Sequence, residues 1–396
     1  MDAFGAAAAA VFLWTFFILA LGRLGRWPIL RGAASLVGGL VTILILHVSW
    51  DNVDLQVLAL LAGLMVLAGL AETSGLFAGA RRRLLRLPPW LALWSSLLLV
   101  AVASAVLLND AAVVVLVPFL LPALGSLGLP LVPAAALMAV AANVGSLLTP
   151  FGNPQNAVLA QAAGLGVQDF LRVQGPIAAL GFLVLALACR LAAGKLGTPT
   201  APPEPASPRG RPWLAFCIVA FLALAAWRPL PLGTAALACA VAAWLGLRLK
   251  LGRDADQAAW RHLDLNVLAL FVGLYLLTAG LPAWFPSNVL PVSALGRPGP
   301  AAVATSILSN LVGNVPAILT FLKLDAAWTR LHAPFLVTVS TLGGTLLLTG
   351  SAASLLAADQ ARRIGVELRF WPYLKQAAWM LPVLVLGAAV TWRFPT

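Results

Sequence analysis

Apolar runs of about 17 to 20 residues follow one another along most of the chain. Each is long enough to cross a bilayer as a helix. The pattern predicts spans at 5–21, 32–48, 55–76, 171–188, 213–226, 233–247 and 372–390, among about 11 spans in all. Two stretches break the pattern in a different way. Residues 90–124 have room for two passes but carry Asn109-Asp110 in the middle, and residues 301–324 carry Ser309-Asn310-Leu311-Val312-Gly313-Asn314. Neither polar break leaves enough chain for an aqueous loop. Each therefore predicts a re-entrant helical hairpin, the first one turning at Asn109-Asp110.

Two further spans are interrupted outright. Helix character runs to Leu148, and then Thr149-Pro150-Phe151-Gly152-Asn153-Pro154-Gln155-Asn156 inserts two prolines, a glycine and three amides. Proline removes a backbone donor and clashes with the preceding turn, so the helix opens there. Opened backbone at membrane depth survives only inside protein or beside a wet cavity. The pattern returns in Thr341-Leu342-Gly343-Gly344 and Thr349-Gly350-Ser351-Ala352-Ala353-Ser354. A shift of 198 residues sets Gly145 on Gly343, Gly152 on Gly350, Asn153 on Ser351 and Asn156 on Ser354. Asp54-Leu55-Gln56-Val57-Leu58-Ala59-Leu60 likewise returns as Asp264-Leu265-Asn266-Val267-Leu268-Ala269-Leu270, and aligning Asn314 with Asn109 puts Ser309 on Ser104. Interrupted helices at matching places in two halves mark the binding site of a secondary transporter.

The expected fold is thus an all-α polytopic membrane protein of two inverted-topology repeats, each with a re-entrant hairpin and an interrupted helix. The first repeat covers residues 1–195, with its hairpin at 90–124 and its broken helix at 131–163. The second covers 213–396, with the corresponding elements at 301–324 and 334–360. The Pro-rich segment 196–212 reads as a cytoplasmic linker.

Composition sharpens the class: 61% of the 396 residues are hydrophobic and 10% charged. A net charge of +12 would suggest nucleic acid in a soluble protein. Here the basic residues flank spans and fix orientation instead. Placing basic loops in the cytoplasm gathers there all of the 25 Lys and Arg except Arg172, Arg228, Arg297, Lys323, Arg330 and Arg393. Arg31, Arg362 and Arg363 are counted among the loop residues. This path puts both termini outside, and the first helix reads as retained, not as a cleaved signal. Cys189, Cys217 and Cys239 lie in apolar runs without paired spacing and read as core residues. No P-loop appears, and His47, His262 and His332 have no metal spacing.

Of 13 Asp and Glu residues, Asp110 alone is expected deep in the membrane. An ionisable residue there is a functional hypothesis by default. Its open roles are cation ligand, proton carrier, or N-cap of the returning hairpin helix. Ser104, Asn109, Ser309, Asn310 and Asn314 supply hydroxyl and amide groups beside the breaks. Opened carbonyls suit Na⁺, and half-helix N-termini suit anions. With Thr149, Gly152, Asn153, Gln155, Asn156, Thr349, Gly350, Ser351 and Ser354, these are the candidate substrate and ion ligands. No Lys or Arg is expected at mid-membrane depth, and no cysteine lies in either cluster. A metalloid would therefore be recognised through its hydroxyl groups.

The motifs LLNDAAVVVLVP (107–118), NVGSLLTPFGNPQN (143–156), SNLVGNVPA (309–317) and LGGTLLLTGSAASLLAADQARR (342–363) resemble the ion transporter superfamily, in its arsenite permease and sodium/proton antiporter branch. The resemblance spans nearly the whole chain. It implies inverted repeats in a bacterial-type cytoplasmic membrane, no enzymatic chemistry, and, from dimeric relatives, an expected homodimer. It also implies Na⁺ as an alternative coupling ion, at Ser104, Asn109 and Gly152 in one half and at Ser309, Asn310 and Gly350 in the other. Three activities follow as expectations: arsenite- or antimonite-type efflux exchanging with protons through Asp110, sodium/proton antiport, and cation-coupled uptake of a carboxylate or sulfate.

Overall fold

The computed structural model describes residues 3–21, 23–24, 27–76, 78–194, 211–227, 230–280 and 295–394. Most of the expected linker at 196–212 lies outside the described residues. Regular structure is helical, apart from a two-residue pairing of Arg23–Leu24 with Trp27–Pro28. The first helices are α1 (Ala3–Leu21), α2 (Arg31–Leu46), α3 (Leu55–Thr73), α4 (Ala78–Leu84), α5 (Pro89–Val106), α6 (Asn109–Gly125), α7 (Leu131–Ser146), α8 (Pro154–Ala163) and α9 (Val167–Ala193). There follow α10 (Arg211–Trp227), α11 (Leu232–Leu251), α12 (Arg253–His262), α13 (Leu265–Ala279), α14 (Pro298–Val312) and α15 (Asn314–Leu324). The chain then continues through α16 (Ala326–Leu331), α17 (Ala333–Gly344), α18 (Ala352–Arg363), α19 (Phe370–Ala377) and α20 (Leu381–Thr391).

Among the described residues, five stretches are long and apolar enough to cross a membrane: Pro89–Val106, Val167–Ala193, Leu232–Lys250, Arg253–Ala279 and Phe370–Thr391. Shorter apolar helices of 10–17 residues accompany them. Large apolar side chains such as Leu44, Leu183, Val219 and Val385 point outward. In water that surface would be a liability; against lipid tails it carries no penalty.

The helices sort into two packing groups. In one, α2 lies along α1 and α13, while α3 lies along α11 and α12. Small residues allow this close approach: a Cβ on Gly273 would strike the Ser35 backbone, and one on Gly63 would strike that of Ala236. In the other group, α5 packs on α6, α7 and α9, α14 packs on α17, and α18 packs on both α6 and α7. The long hydrophobic core runs through both groups.

The breaks fall at corresponding places. Helix α7 ends at Ser146 and α8 starts at Pro154, so helix stops two residues before Leu148; α17 ends at Gly344 and α18 starts at Ala352. Asn153 and Ser351, 198 residues apart, occupy the two N-cap positions in the same extended conformation, with φ/ψ of −151°/142° and −134°/135°. The hairpins differ at their turns. The second turns on Gly313 at φ 88°, a conformation that glycine adopts without strain. The first turns on Leu107 and Leu108, and Asn109 is already the first residue of the return helix. Asn109-Asp110 is therefore not the turn, which corrects the sequence expectation. Asn109 and Asn314 both begin return helices, as their alignment required.

Candidate substrate and ion site

Each hairpin tip is held by the unwound segment of its own half. The Asn109 backbone N–H donates to Gly152 O at 2.9 Å, and Thr149 Oγ1 donates to Ala105 O. In the second half Asn310 Nδ2 donates to Gly343 O at 2.6 Å, and Leu347 N donates to Asn310 Oδ1 at 3.2 Å. The Asn314 amide, with its nitrogen toward the carbonyls, donates to Ser340 O and Gly350 O at 3.0 and 3.1 Å. Glycine makes this proximity available. A Cβ on Gly145 would fall on the Ala101 backbone of α5, and one on Gly343 would meet Ser306 of α14. Gly152 and Gly350 are crowded differently: a Cβ on Gly152 would meet Ser146 of the same broken helix, whereas one on Gly350 would meet the Asn310 side chain of the hairpin as well as Gly344.

The halves meet through polar side chains. Asn143 Oδ1 accepts from Asn109 Nδ2 and from Ser351 Oγ, both at 3.1 Å. Gln155 Nε2 donates to Thr341 Oγ1 at 3.1 Å. Asn156 Nδ2 bonds Ser146 O and Thr149 O, bridging the gap in the first broken helix. Ser354, at the matching position, instead bonds the Tyr373 hydroxyl at 2.7 Å.

A cavity of about 520 Å³ opens between the two packing groups. Of the sequence-derived candidates, Asp110, Asn153, Gln155, Asn314, Thr349 and Ser351 line it. Ser104, Asn109, Thr149, Gly152, Asn156, Ser309, Asn310, Gly350 and Ser354 stand behind that lining. Ser104 Oγ and Ser309 Oγ, at corresponding positions, are buried without a partner, as are Asn153 Nδ2 and Gln155 Oε1. The cavity wall also contains Asp54, Gln56, Phe16, Phe151, Phe271, Tyr275 and Thr278. No Lys, Arg or His lines the cavity among the described residues.

Asp110 is 4% exposed, and its carboxylate lies within electrostatic reach of the backbone N–H of Ala353. That group belongs to the first turn of α18, where the helix dipole presents partial positive charge. The N-cap of its own helix is Leu108, which makes no side-chain cap bond. Asp110 is therefore not the cap of α6. It sits at the start of a helix from the other half.

Asp110 is also not the sole buried carboxylate. Asp264 and Asp359 are 3% and 2% exposed. Asp264 pairs with Arg363, and Asp359 pairs with Arg362 at 2.9 Å. Arg31 is buried at the start of α2, within electrostatic reach of Asp359. Of the three arginines assigned to aqueous loops, Arg31 is buried, whereas Arg362 and Arg363 keep side chains 33% and 37% exposed while they pair with the buried Asp359 and Asp264. Sequence reasoning missed Asn143, Asp54 and Tyr275 as site residues. An amide inside an apolar helix was the available signal for Asn143, and the repeated Asp-Leu-Gln/Asn motif for Asp54.

The profile of the citrate transporter family, CitMHS, matches residues 12–333. The chain belongs to the citrate transporter family. That family lies in the ion transporter superfamily to which the motifs pointed, and its members are integral membrane transporters, not enzymes. Inner membrane protein YbiR of Escherichia coli (strain K12) is 32% identical to this citrate transporter family member over 355 residues, 86% of this chain and 88% of its own length. The silicon efflux transporter LSI3 of Oryza sativa subsp. japonica is 27% identical over 440 residues, 88% of this chain and 89% of its own. A putative transporter arsB of Dictyostelium discoideum is 32% identical over 132 residues, 32% of this chain and 22% of its own. Among solved structures, the Alcanivorax borkumensis YdaH transporter aligns at TM-score 0.48 and 17% identity over 97% of each chain. The protein is therefore a secondary transporter of the citrate transporter and arsB-like type.

Proposed function

We propose that this transporter moves a small, uncharged, hydroxylated metalloid acid of the arsenite or antimonite type, in exchange for protons carried by Asp110. One observation carries the reading: the cavity is lined by amides, hydroxyls and two carboxylates, and by no basic side chain among the described residues. A tri- or dicarboxylate would enter such a lining without a counter-charge, and desolvated anions need one. A neutral polyhydroxyl acid needs donors and acceptors instead, which Asn153, Gln155, Asn314, Thr349 and Ser351 supply. The silicon efflux named for one relative and the arsB name of another fit that chemistry. The apolar wall of Phe16, Phe151 and Phe271 would exclude water around a small solute.

The remaining candidates would act as the frame. Asn109 and Gly152 in one half, and Asn310 and Gly350 in the other, hold the tips against the unwound segments, Asn156 and Ser354 brace the broken helices, and Ser104 and Ser309 stand at the hairpins with unengaged hydroxyls. The halves, 1–195 and 213–396, would be inverted repeats, with both termini outside and the basic loops in the cytoplasm of a bacterial-type inner membrane.

A second reading is favoured by the same electronegative lining: Na⁺/H⁺ exchange, with Ser104 Oγ and Ser309 Oγ as unengaged oxygens at the two tips. Flux into proteoliposomes decides between them. An imposed pH gradient is offered with arsenite, citrate or sulfate, with and without Na⁺. Arsenite movement driven by the pH gradient and indifferent to Na⁺ is the expected result. Na⁺-driven citrate or sulfate uptake would overturn it, and proton movement driven by Na⁺ alone would establish the second reading.

A further inference from the structure

Asp54 is exposed, lines the cavity, and faces it from the packing group opposite Asp110. Its Oδ1 caps α3, accepting from Gln56 N and Val57 N at 2.9 and 3.2 Å. Tyr275 lies on the same wall, within electrostatic reach of both Asp54 and Asp110. The repeated motif places Asp264 in the same local role. It caps α13, accepting from Asn266 N and Val267 N at 2.9 and 3.3 Å. The two caps differ in their charge balance. Asp264 is buried and neutralised by Arg363. The residue 198 positions before Arg363 is Leu165, and Asp54 has no ion pair among the described residues.

Capping does not explain an aspartate at position 54, because asparagine caps a helix equally well. Its charge goes to the cavity instead. A cleft with low-dielectric walls and charge of one sign focuses its field and concentrates counter-ions. The same cavity holds Gln155, fully buried with Oε1 unpartnered, a polar oxygen ready for an incoming cation or hydroxyl group. Among the described residues, the titratable side chains facing Asp54 in this cavity are Asp110 and Tyr275, and no cationic side chain lines it.

We propose that Asp54 is an electrostatic entry residue, raising the local concentration of the coupling cation, H⁺ or Na⁺, at the mouth of the cavity before it reaches Asp110. The proposal rests on the coupled-transport reading above, but its first test does not. Thr278 lines the cavity beside Tyr275, and the native cysteines are buried, so Thr278→Cys supplies a reporter thiol. The readout is the ratio of its labelling rates with a trimethylammonium methanethiosulfonate and with an uncharged one, at low ionic strength. Asp54→Asn keeps the cap and removes the charge, and should lower that ratio about threefold to tenfold. Asp54→Glu should preserve the ratio, and high salt should erase the difference between variants. Asp54→Ser, a cap without charge, carries the same test should the asparagine variant fail to insert. A ratio in Asp54→Asn within about 1.5-fold of the parent overturns the proposal. In proteoliposomes Asp54→Asn should raise, by a similar factor, the concentration of driving cation giving half-maximal flux. The arm that responds in the wild type, pH or Na⁺ gradient, identifies the cation. A wild type that answers to neither gradient refutes coupled transport, whereas an unchanged labelling ratio refutes the role of Asp54.

Discussion

Asn143 → Ala tests whether the two halves are joined where the structure joins them. Asn143 is fully buried in α7. Its oxygen accepts from Asn109 Nδ2 and Ser351 Oγ, and its nitrogen donates to Ala139 O at 3.1 Å. Truncation strands two donors. Asn109 is 1% exposed and lies behind the cavity lining, so its amide would be left unsatisfied at about 1–3 kcal/mol. Ser351 lines the cavity and can turn to water, so its loss should be near the roughly 0.6 kcal/mol mean for side-chain hydrogen bonds between membrane helices. Together the variant should lose about 2–3 kcal/mol, a fall of roughly 2–4 °C in Tm for a chain of 396 residues. Thermal unfolding of the purified protein measures that, and reconstituted flux should fall with it, because the tip of the first hairpin loses its tie to the second unwound segment. The double variant with Ser351→Ala isolates the link between halves, since contacting residues couple by about 0.5–3 kcal/mol. A Tm within about 1 °C of wild type, or single effects that add within about 0.3 kcal/mol, would refute the reasoning.

The remaining predictions concern charge and close approach. Asp110→Asn should abolish gradient-driven flux while costing about 0.3–1 kcal/mol of stability, the value of an anion at the first turn of α18; full coupled flux by this variant removes Asp110 from the mechanism. Gly145→Ala should destabilise by about 1–3 kcal/mol because the new methyl would fall on the Ala101 carbonyl oxygen, whereas Gly343→Ala should cost less because the nearest backbone atom of Ser306 stands 3.1 Å away and its hydroxyl can turn aside. Equal Tm shifts for the two would contradict the packing argument. Arg363→Met leaves the buried Asp264 carboxylate without its counter-charge and should lower Tm, while adding Asp264→Asn, which keeps the cap, should recover part of the loss. A double variant no more stable than the single would show that the pair is not acting through charge.

The breaks in the fold were legible because proline, glycine and amides cannot hide in an apolar run. Thr149 to Asn156 had to open, whereas the turn at Gly313 emerges only in the structure. The tip of the first hairpin was misread by two residues for a physical reason. The chain turns at Leu107-Leu108 because the backbone N–H of Asn109, unpaired at the start of a helix, finds Gly152 O in the broken helix. That partner is tertiary and leaves no trace in local pattern. The same holds for Asp110, whose carboxylate meets an N–H from Ala353 in the other half, so capping chemistry was recognised but assigned to the wrong helix. The burial of Arg31, Asp264 and Asp359 is not legible, since hydropathy gives a charge near the end of a span no means of showing that it is buried. The candidate ligands beside the breaks were legible as a set. Which of them face the cavity was not, because neighbouring positions in an unwound segment follow no fixed period.

The two halves repeat the same parts and close them differently. Asn266 Oδ1 accepts from Gly32 N at 2.9 Å, and Gln56 Oε1 accepts from Thr234 N at 3.0 Å, so the repeated motif grips an adjacent helix start in both places. Beyond that grip the chemistry diverges. Helix α18 ends in Asp359, Arg362 and Arg363, which bond Asn266, the Ile29 carbonyl and Asp264, so that end of the molecule is tied by buried carboxylates paired to partly exposed arginines. Helix α8, its counterpart, carries no charged residue, and Pro154, Gln155, Ala157 and Val158 face Val57, Leu60, Leu232 and Gly233 across open cavity. An ion pair released from burial must be rehydrated and re-partnered, whereas an apolar and amide surface separates without that demand. Sequence differences between matching helices thus leave the packing at the ends of α8 and α18 unequal in strength, and a ligand that favours one arrangement of such unequal contacts shifts the balance between them.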